Sequence, residues 1–372
     1  MITIAKTTEK KLLTYSALST YRKCPMRYNL RYEQNLVPID TDDKLFFGGV
    51  VHKALEAWHG CPTVDLELRK RLVFECIDEA CKGKTHLLAM EMMVGYMERY
   101  SNDYFEVIAL EHEFNGEIVN PRTGALSKTF AIKGKVDGIV KTDQGLFLLE
   151  HKTTSKLMDD PEDKLWEDTQ VGIYVAYLRD LGYDIVGVIY NELLKCTLIQ
   201  KKGESEEEYQ ARYAELCAKS KTGKSTAKRQ LHESDEEYAQ RVREWYCSDN
   251  RFQRTEMLLS DTQIDLVRQD IWGMTQQFLD ARRRNDWFCN RESCNSFYGD
   301  CPYRRYCQSN YDDAVRQEMF ELVATPHTEF DSFSSVQDVT PQYPEPRQKD
   351  MGPADPHYHW DHMEALAGYG ET

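Results

Sequence analysis

Apolar residues recur every three to four positions in some stretches of this chain and every second position in others, and the change of period divides it into blocks. Over residues 15–33, Leu18, Tyr21, Tyr28 and Tyr32 keep helical spacing, with Arg22, Lys23, Arg27 and Arg31 on other faces. A loop ending at Gly48-Gly49 is expected next. A second helix is predicted from Val50 to Trp58, which puts His52, Leu55 and Glu56 on neighbouring turns of one face. From Ile108 to Ser155 the period falls to two, with turn signals at residues 120–124 and 142–145, so three antiparallel strands are predicted. A helix over residues 165–181, stopped by Gly182, and a β-rich run over 185–199 complete a mixed α/β order.

Residues 201–250 break this pattern and read as an insertion containing a near-repeat: Glu204 to Tyr209 with Arg212, then Glu233 to Tyr238 with Arg241. Each copy carries a capping box, Ser205 with Glu208 and Ser234 with Glu237, which predicts two helix starts. The basic stretch between them contains Gly223-Lys224-Ser225, but Ala218 stands where a phosphate-binding loop needs its first glycine, so an NTPase is excluded. Farther on, Ile264, Val267, Ile271, Met274 and Phe278 form a core stripe, capped by Ser260 with Gln263 and closed by Arg282-Arg283-Arg284. Beyond Val323 periodicity stops. Residues 325–372 are expected to be a disordered acidic tail, with His327, His357, His359 and His362 merely solvated.

The chain has 372 residues, 41% hydrophobic and 29% charged, enough for one large domain with insertions or for two domains. Its net charge of −15 argues against polyanion binding by the whole surface, although the tail, with nine acidic and two basic residues, supplies −7 of it. Any nucleic-acid contact must therefore rest on local basic patches such as Arg22, Lys23, Arg27, Arg31, Arg304 and Arg305. No segment is long and apolar enough for a membrane span or a signal sequence, which places the protein in the cytoplasm. Eleven cysteines, dense only at Cys289, Cys294, Cys301 and Cys307, suit a metal in a reducing compartment better than disulfides.

The chemistry concentrates in Gly134-Lys135-Val136-Asp137-Gly138 and, one turn later, Leu146-Phe147-Leu148-Leu149-Glu150-His151-Lys152. Adjacent strands bring Asp137 beside Glu150 and Lys152, and the last two share a face because strand side chains alternate. Two carboxylates offer hard oxygen ligands to a divalent cation, and an ammonium beside them can orient a water or offset charge on a phosphate.

These residues resemble the PD-(D/E)XK motif, with Asp137 and Glu150 as its acids and Lys152 as its lysine. His52 matches the histidine that RecB-like nucleases add as a metal ligand, and Gln170-Val171-Gly172-Ile173-Tyr174 matches their Gln-x-x-x-Tyr motif. Cys24 with Cys294, Cys301 and Cys307 resembles the iron–sulfur staple of AddB-type nucleases, with Cys289 as a rival to Cys294. The resemblance, which spans residues 15–307, implies a restriction-endonuclease-like α/β fold with a mixed sheet flanked by helices. It implies a nuclease domain over 1–310 with a helical insertion at about 201–260, followed by a connecting segment at 311–324.

The implied activity is Mg²⁺- or Mn²⁺-dependent hydrolysis of DNA, single- or double-stranded. The expected role is that of a stand-alone exonuclease in recombination, repair or phage DNA processing, with a recombination or single-strand-annealing partner. The implied metal ligands are His52, Asp137, Glu150 and the His151 carbonyl; the second cofactor is a 4Fe-4S cluster, with zinc as the alternative occupant. A non-catalytic DNA-binding protein and an RNA nuclease are the competing functions.

Overall fold

A computed structural model describes residues 10–39, 43–296, 299–327 and 330. The predicted first helix is broken into pieces. Thr14 caps α1 (Tyr15–Lys23), which follows a short strand β1 (Lys11–Leu13); Cys24 is extended, and Pro25 then starts α2 (Pro25–Tyr28), which runs into a π-helical turn at Asn29–Glu33. After β2 (Leu36–Pro38) comes α3 (Asp43–Gly60), which starts earlier than its glycine pair suggests and carries Gly48 and Gly49 inside it. Two further helices, α4 (Leu66–Ala80) and α5 (Gly83–Arg99), precede the predicted meander of β3 (Glu106–Val119), β4 (Leu126–Thr142) and β5 (Gly145–Thr154).

Next come a short α6 (Pro161–Trp166), α7 (Thr169–Asp180) and β6 (Ile185–Leu194). Both capping boxes of the near-repeat form and start α8 (Glu206–Lys219) and α9 (Asp235–Tyr246). The two copies differ in burial: α8 buries no residue, whereas α9 buries Tyr238, Val242 and Tyr246 against α5. The strand β7 (Phe252–Leu258) then pairs with β6, so the expected insertion at 201–260 stops well short of residue 260, and α9 belongs to the core. The long α10 (Asp261–Arg284) carries the predicted stripe and its Ser260–Gln263 capping box. The chain closes with a small hairpin, β8 (Asn295–Ser296) and β9 (Gly299–Asp300), then α11 (Arg304–Gln308), α12 (Asp313–Met319) and β10 (Phe320–Leu322).

The main sheet runs β1-β4-β5-β6-β7, with β3 on the other edge of β4. Its pairings are mixed: β1 with β4 and β5 with β6 are parallel, the rest antiparallel. One face packs on α1, α7 and α10 through Leu18, Ile173, Ile271 and Phe278; the other packs on α3, α4, α5 and α9 through Leu55, Trp58, Ile77 and Met92. Each face thus buries an apolar helix stripe, as an α/β sheet must.

A third, smaller cluster of Leu30, Leu36, Tyr303, Tyr306 and Phe320 joins the chain's two ends, and β10 pairs antiparallel with β2. The connecting segment at 311–324 holds α12 and β10. At the start of the expected tail, Arg31 donates to the Pro326 carbonyl, the His327 ring sits 5.3 Å from that of Tyr32, and Lys133 lies 3.8 Å above the Phe330 ring. The remainder of the tail, with His357, His359 and His362, lies outside the described residues.

Candidate active site

Strand β4 meets β5 only over Gly138–Thr142, and meets β1 over Phe130–Ile132. Asp137 stands where β4 and β5 part. In a continued ladder the amide of His151 would face Val136; instead it donates to Oδ2 of Asp137 at 2.7 Å, while Oδ1 lies 3.1 Å from Nδ1 of His52 on α3. Burial works against a charged Asp137, but His52 first, and Lys152 with it, outweigh it and hold the carboxyl well below its ordinary range. The His52 imidazole is raised despite burial, because Asp137 faces it.

Glu150 and Lys152 share a face of β5, as alternation predicts, and Nζ of Lys152 donates to Oε1 of Glu150 at 2.8 Å. Gln170 joins them from α7. Its Nε2 donates to Oε1 of Glu150 at 3.0 Å, its Oε1 accepts from Lys152 at 2.9 Å, and its amide also donates to the hydroxyl of Tyr174 at 3.0 Å. Asp168 fixes the start of α7 by accepting from the amides of Gln170 and Val171. Gly172, inside the same motif, lets α7 lie against α10, since a Cβ there would come within 2.6 Å of Val267. The structure thus brings His52, Asp137, Glu150, His151, Lys152, Gln170 and Tyr174 into one place.

Burial, reinforced by Asp137 and opposed by Lys152, pushes the Glu150 carboxyl up to about 7. Its Oε2 is buried and has no hydrogen-bond partner, an expensive arrangement for a carboxylate oxygen. Burial opposes charge on Lys152 too, yet Glu150 and Asp137 raise it overall, so it remains an ammonium. The Lys152 side chain keeps 37% of its surface, which marks the open side of the site.

Sequence reading missed some neighbours. Tyr190, opposite Glu150 in the β5–β6 register, is raised by burial and lies within reach of the charges on Lys152 and Glu150. Glu111, at a left-handed φ of 46° on β3, pairs with Lys135, and both influence Glu56 beside Asp137. Glu56 carried a signal, its one-turn spacing from His52; Tyr190 and Glu111 carried none.

The break at Cys24 carries that buried thiol to the far end of the chain. Burial and the thiols of Cys289, Cys301 and Cys24 push Cys307 up to about 12, and burial with Cys294 and Cys24 raises Cys301, against a lowering influence from Arg27. Cys301 donates its amide to the Cys294 carbonyl at 2.9 Å, and Cys289 lies 3.4 Å from the Tyr311 hydroxyl. Five thiols, those of Cys24, Cys289, Cys294, Cys301 and Cys307, are thus brought to one region, and thiolate sulfurs are donors suited to a cationic centre. Among the described residues, however, no three His, Cys, Asp or Glu side chains converge on a single point as an ion would require. At the carboxylate site His52 and Asp137 bond each other and Glu150 bonds Lys152.

No helix among the described residues is long and apolar enough to cross a membrane. Residues 12–308 match the sequence family described as the PD-(D/E)XK nuclease superfamily. No curated protein matches the chain. A solved structure titled "Crystal structure of SSO0001" is similar at 13% identity, the match covering 50% of this chain and 64% of that one with a TM-score of 0.24, so this chain spans under two thirds of its length.

Proposed function

Because the chain belongs to the PD-(D/E)XK nuclease superfamily, whose members are generally metal-dependent nucleases, we propose that it hydrolyses DNA phosphodiester bonds with Mg²⁺ or Mn²⁺. His52, Asp137, Glu150 and the backbone carbonyl of His151 hold the cation. The observation that carries this reading is the unpartnered, buried Oε2 of Glu150, near a carboxylate held ionised at Asp137: hard oxygens of this kind suit a divalent cation. Bound by these residues, a divalent cation would supply an acidified water and offset charge on the scissile phosphate.

The chain's own groups do the rest. Lys152, held as an ammonium, cannot take a proton; it donates hydrogen bonds, orienting the attacking water and stabilising negative charge on the phosphate oxygens. Gln170 holds Lys152 and Glu150 in one geometry, and Tyr174 holds Gln170. Arg22, exposed near the start of α7 where it donates to Thr169, offers a phosphate contact beside the site.

We further propose the RecB/AddB-like subtype, with a 4Fe-4S cluster on Cys24, Cys294, Cys301 and Cys307, and an exonuclease role in recombination, repair or phage DNA processing. The raising of Cys301 and Cys307 by burial and by neighbouring thiols, Cys24 acting on both, supports it, with Cys289 as the rival ligand. The test is incubation of the pure protein with end-labelled linear, circular and single-stranded DNA and with RNA, with and without Mg²⁺ or Mn²⁺. Metal-dependent loss of label from linear DNA alone is expected. Cleavage of circles would make it an endonuclease, cleavage of RNA alone an RNA nuclease, and binding without cleavage would end the enzymatic reading.

A further inference from the structure

Behind the site, on the sheet face opposite Glu150 and Lys152, side chains from three adjacent strands form a polar row. The register sets His151 opposite Asn191 and Asn191 opposite Arg254. Nδ2 of Asn191 lies 3.2 Å from Nδ1 of His151, and Oδ1 of Asn191 accepts from Nε of Arg254 at 2.9 Å. The Arg254 guanidinium goes on to Oδ1 of Asp103 at 2.9 Å and to the Tyr96 hydroxyl at 3.1 Å. The same hydroxyl accepts from Asn191 at 2.9 Å and lies 3.1 Å from Nε2 of His59, whose Nδ1 stands 3.3 Å from Asp103.

One proton pattern fits these contacts. Asn191 gives both amide hydrogens, so His151 accepts at Nδ1 and is neutral; Tyr96, already an acceptor twice, donates to His59, which leaves the Nδ1 proton of His59 facing Asp103.

Asn191 and His59 retain 1% of their surface and His151 3%, while the Arg254 side chain retains 7%. A buried ionic network of this kind is a poor source of stability, since apolar residues of similar volume commonly do as well or better. Its geometry has one evident outlet. At the inner end, the His151 ring stacks 5.4 Å from His59, and the His151 amide holds Asp137. We propose that Asn191 and Arg254 are positioning residues of the nuclease site: through the His151 ring they fix the β5 backbone between Glu150 and Lys152, and with it the carboxylates of Asp137 and Glu150. The inference rests on the reading of those carboxylates as cation ligands. Groups that orient ligands in this way typically alter metal affinity by about 10- to 100-fold when removed.

The test uses the full chain, Mn²⁺ alone as the probe, calorimetric titration, and hydrogen exchange at residues 149–152. Asn191→Leu and Arg254→Met are expected to weaken Mn²⁺ binding by about 10- to 100-fold and to speed exchange at those amides, while added Mn²⁺ restores much of kcat. Arg254→Lys should fall between. Tyr96→Phe, which removes one hydroxyl without changing charge, guards against variants that fail to fold and should weaken binding several-fold. Folded Tyr96→Phe and Asn191→Leu proteins with wild-type Mn²⁺ affinity and exchange would overturn the proposal. Asp137→Ala in the same titration separates the two claims: if it leaves Mn²⁺ binding unchanged, the cation reading fails and this inference falls with it, whereas a loss there with no effect in the network variants defeats only the inference.

Discussion

The amide of His151 donates to Oδ2 of Asp137 across 2.7 Å at the point where their strands part. That bond ties the first acid to the backbone between the second acid and the lysine, so one backbone segment links the three groups.

Asp137→Ala, Glu150→Ala and Lys152→Ala are each expected to lower kcat by at least about a hundredfold, since each removes a group placed against the reacting phosphate or its cation. His52→Ala should be less severe, because two carboxylates still hold one ion. Steady-state cleavage of labelled linear DNA, with circular dichroism to verify folding, is the measurement. Near wild-type rates in all three folded variants would dismiss the site.

Without divalent cations, stability should fall as pH rises from about 5 through 7. Glu150 has its folded-state pKa raised from an ordinary 4.5 to about 7, so the protonated form favours the folded state, and that contribution is lost as the carboxyl ionises. Asp137, lowered on folding, adds the opposite dependence only at acid pH. Urea midpoints measured in EDTA between pH 5 and 8 should decline in the wild type and decline less steeply in Glu150→Gln. An equal slope in both would refute the account.

Gln170→Ala should cost about 10- to 100-fold in activity by releasing both Lys152 and Glu150. Tyr174→Phe should cost less, since Tyr174 acts only through Gln170. A reversed order of severity in kcat would show that the tyrosine touches substrate.

Anaerobically purified protein should be brown, absorb near about 400 nm and contain about four irons per chain. Cys24→Ser should lose iron and become more protease-sensitive at both ends. The release should be partial, because β2–β10 pairing and the Leu30, Leu36, Tyr303 and Phe320 cluster also join those ends. Iron retained in Cys294→Ser but lost in Cys289→Ser would exchange the fourth ligand. Stoichiometric zinc without iron would replace the cluster.

Truncation after Phe330 should leave the melting temperature unchanged, whereas truncation before Thr325 should lower stability by about 1 kcal/mol, through loss of the Arg31–Pro326 hydrogen bond and the Lys133–Phe330 contact. Equal melting curves for the two would show that this segment does not dock.

Local pattern alone determined the meander, the capping boxes at Ser205, Ser234 and Ser260, and the shared face of Glu150 and Lys152, because alternation and capping act over a few residues. The Gln170–Tyr174 contact follows equally from one helical turn. Tertiary structure decided the rest. That β7 is a strand of the main sheet depends on its register with β6, and that α9 is core while its near-copy α8 is not depends on whether α5 is there to receive it. His52 meets Asp137 across 85 positions, and the electrostatic influence of Cys24 on Cys301 and Cys307 spans most of the chain. The row from His151 through Asn191 to Arg254 has no spacing to betray it, because a register between strands is set by how whole faces bury, and no short window of sequence contains that information.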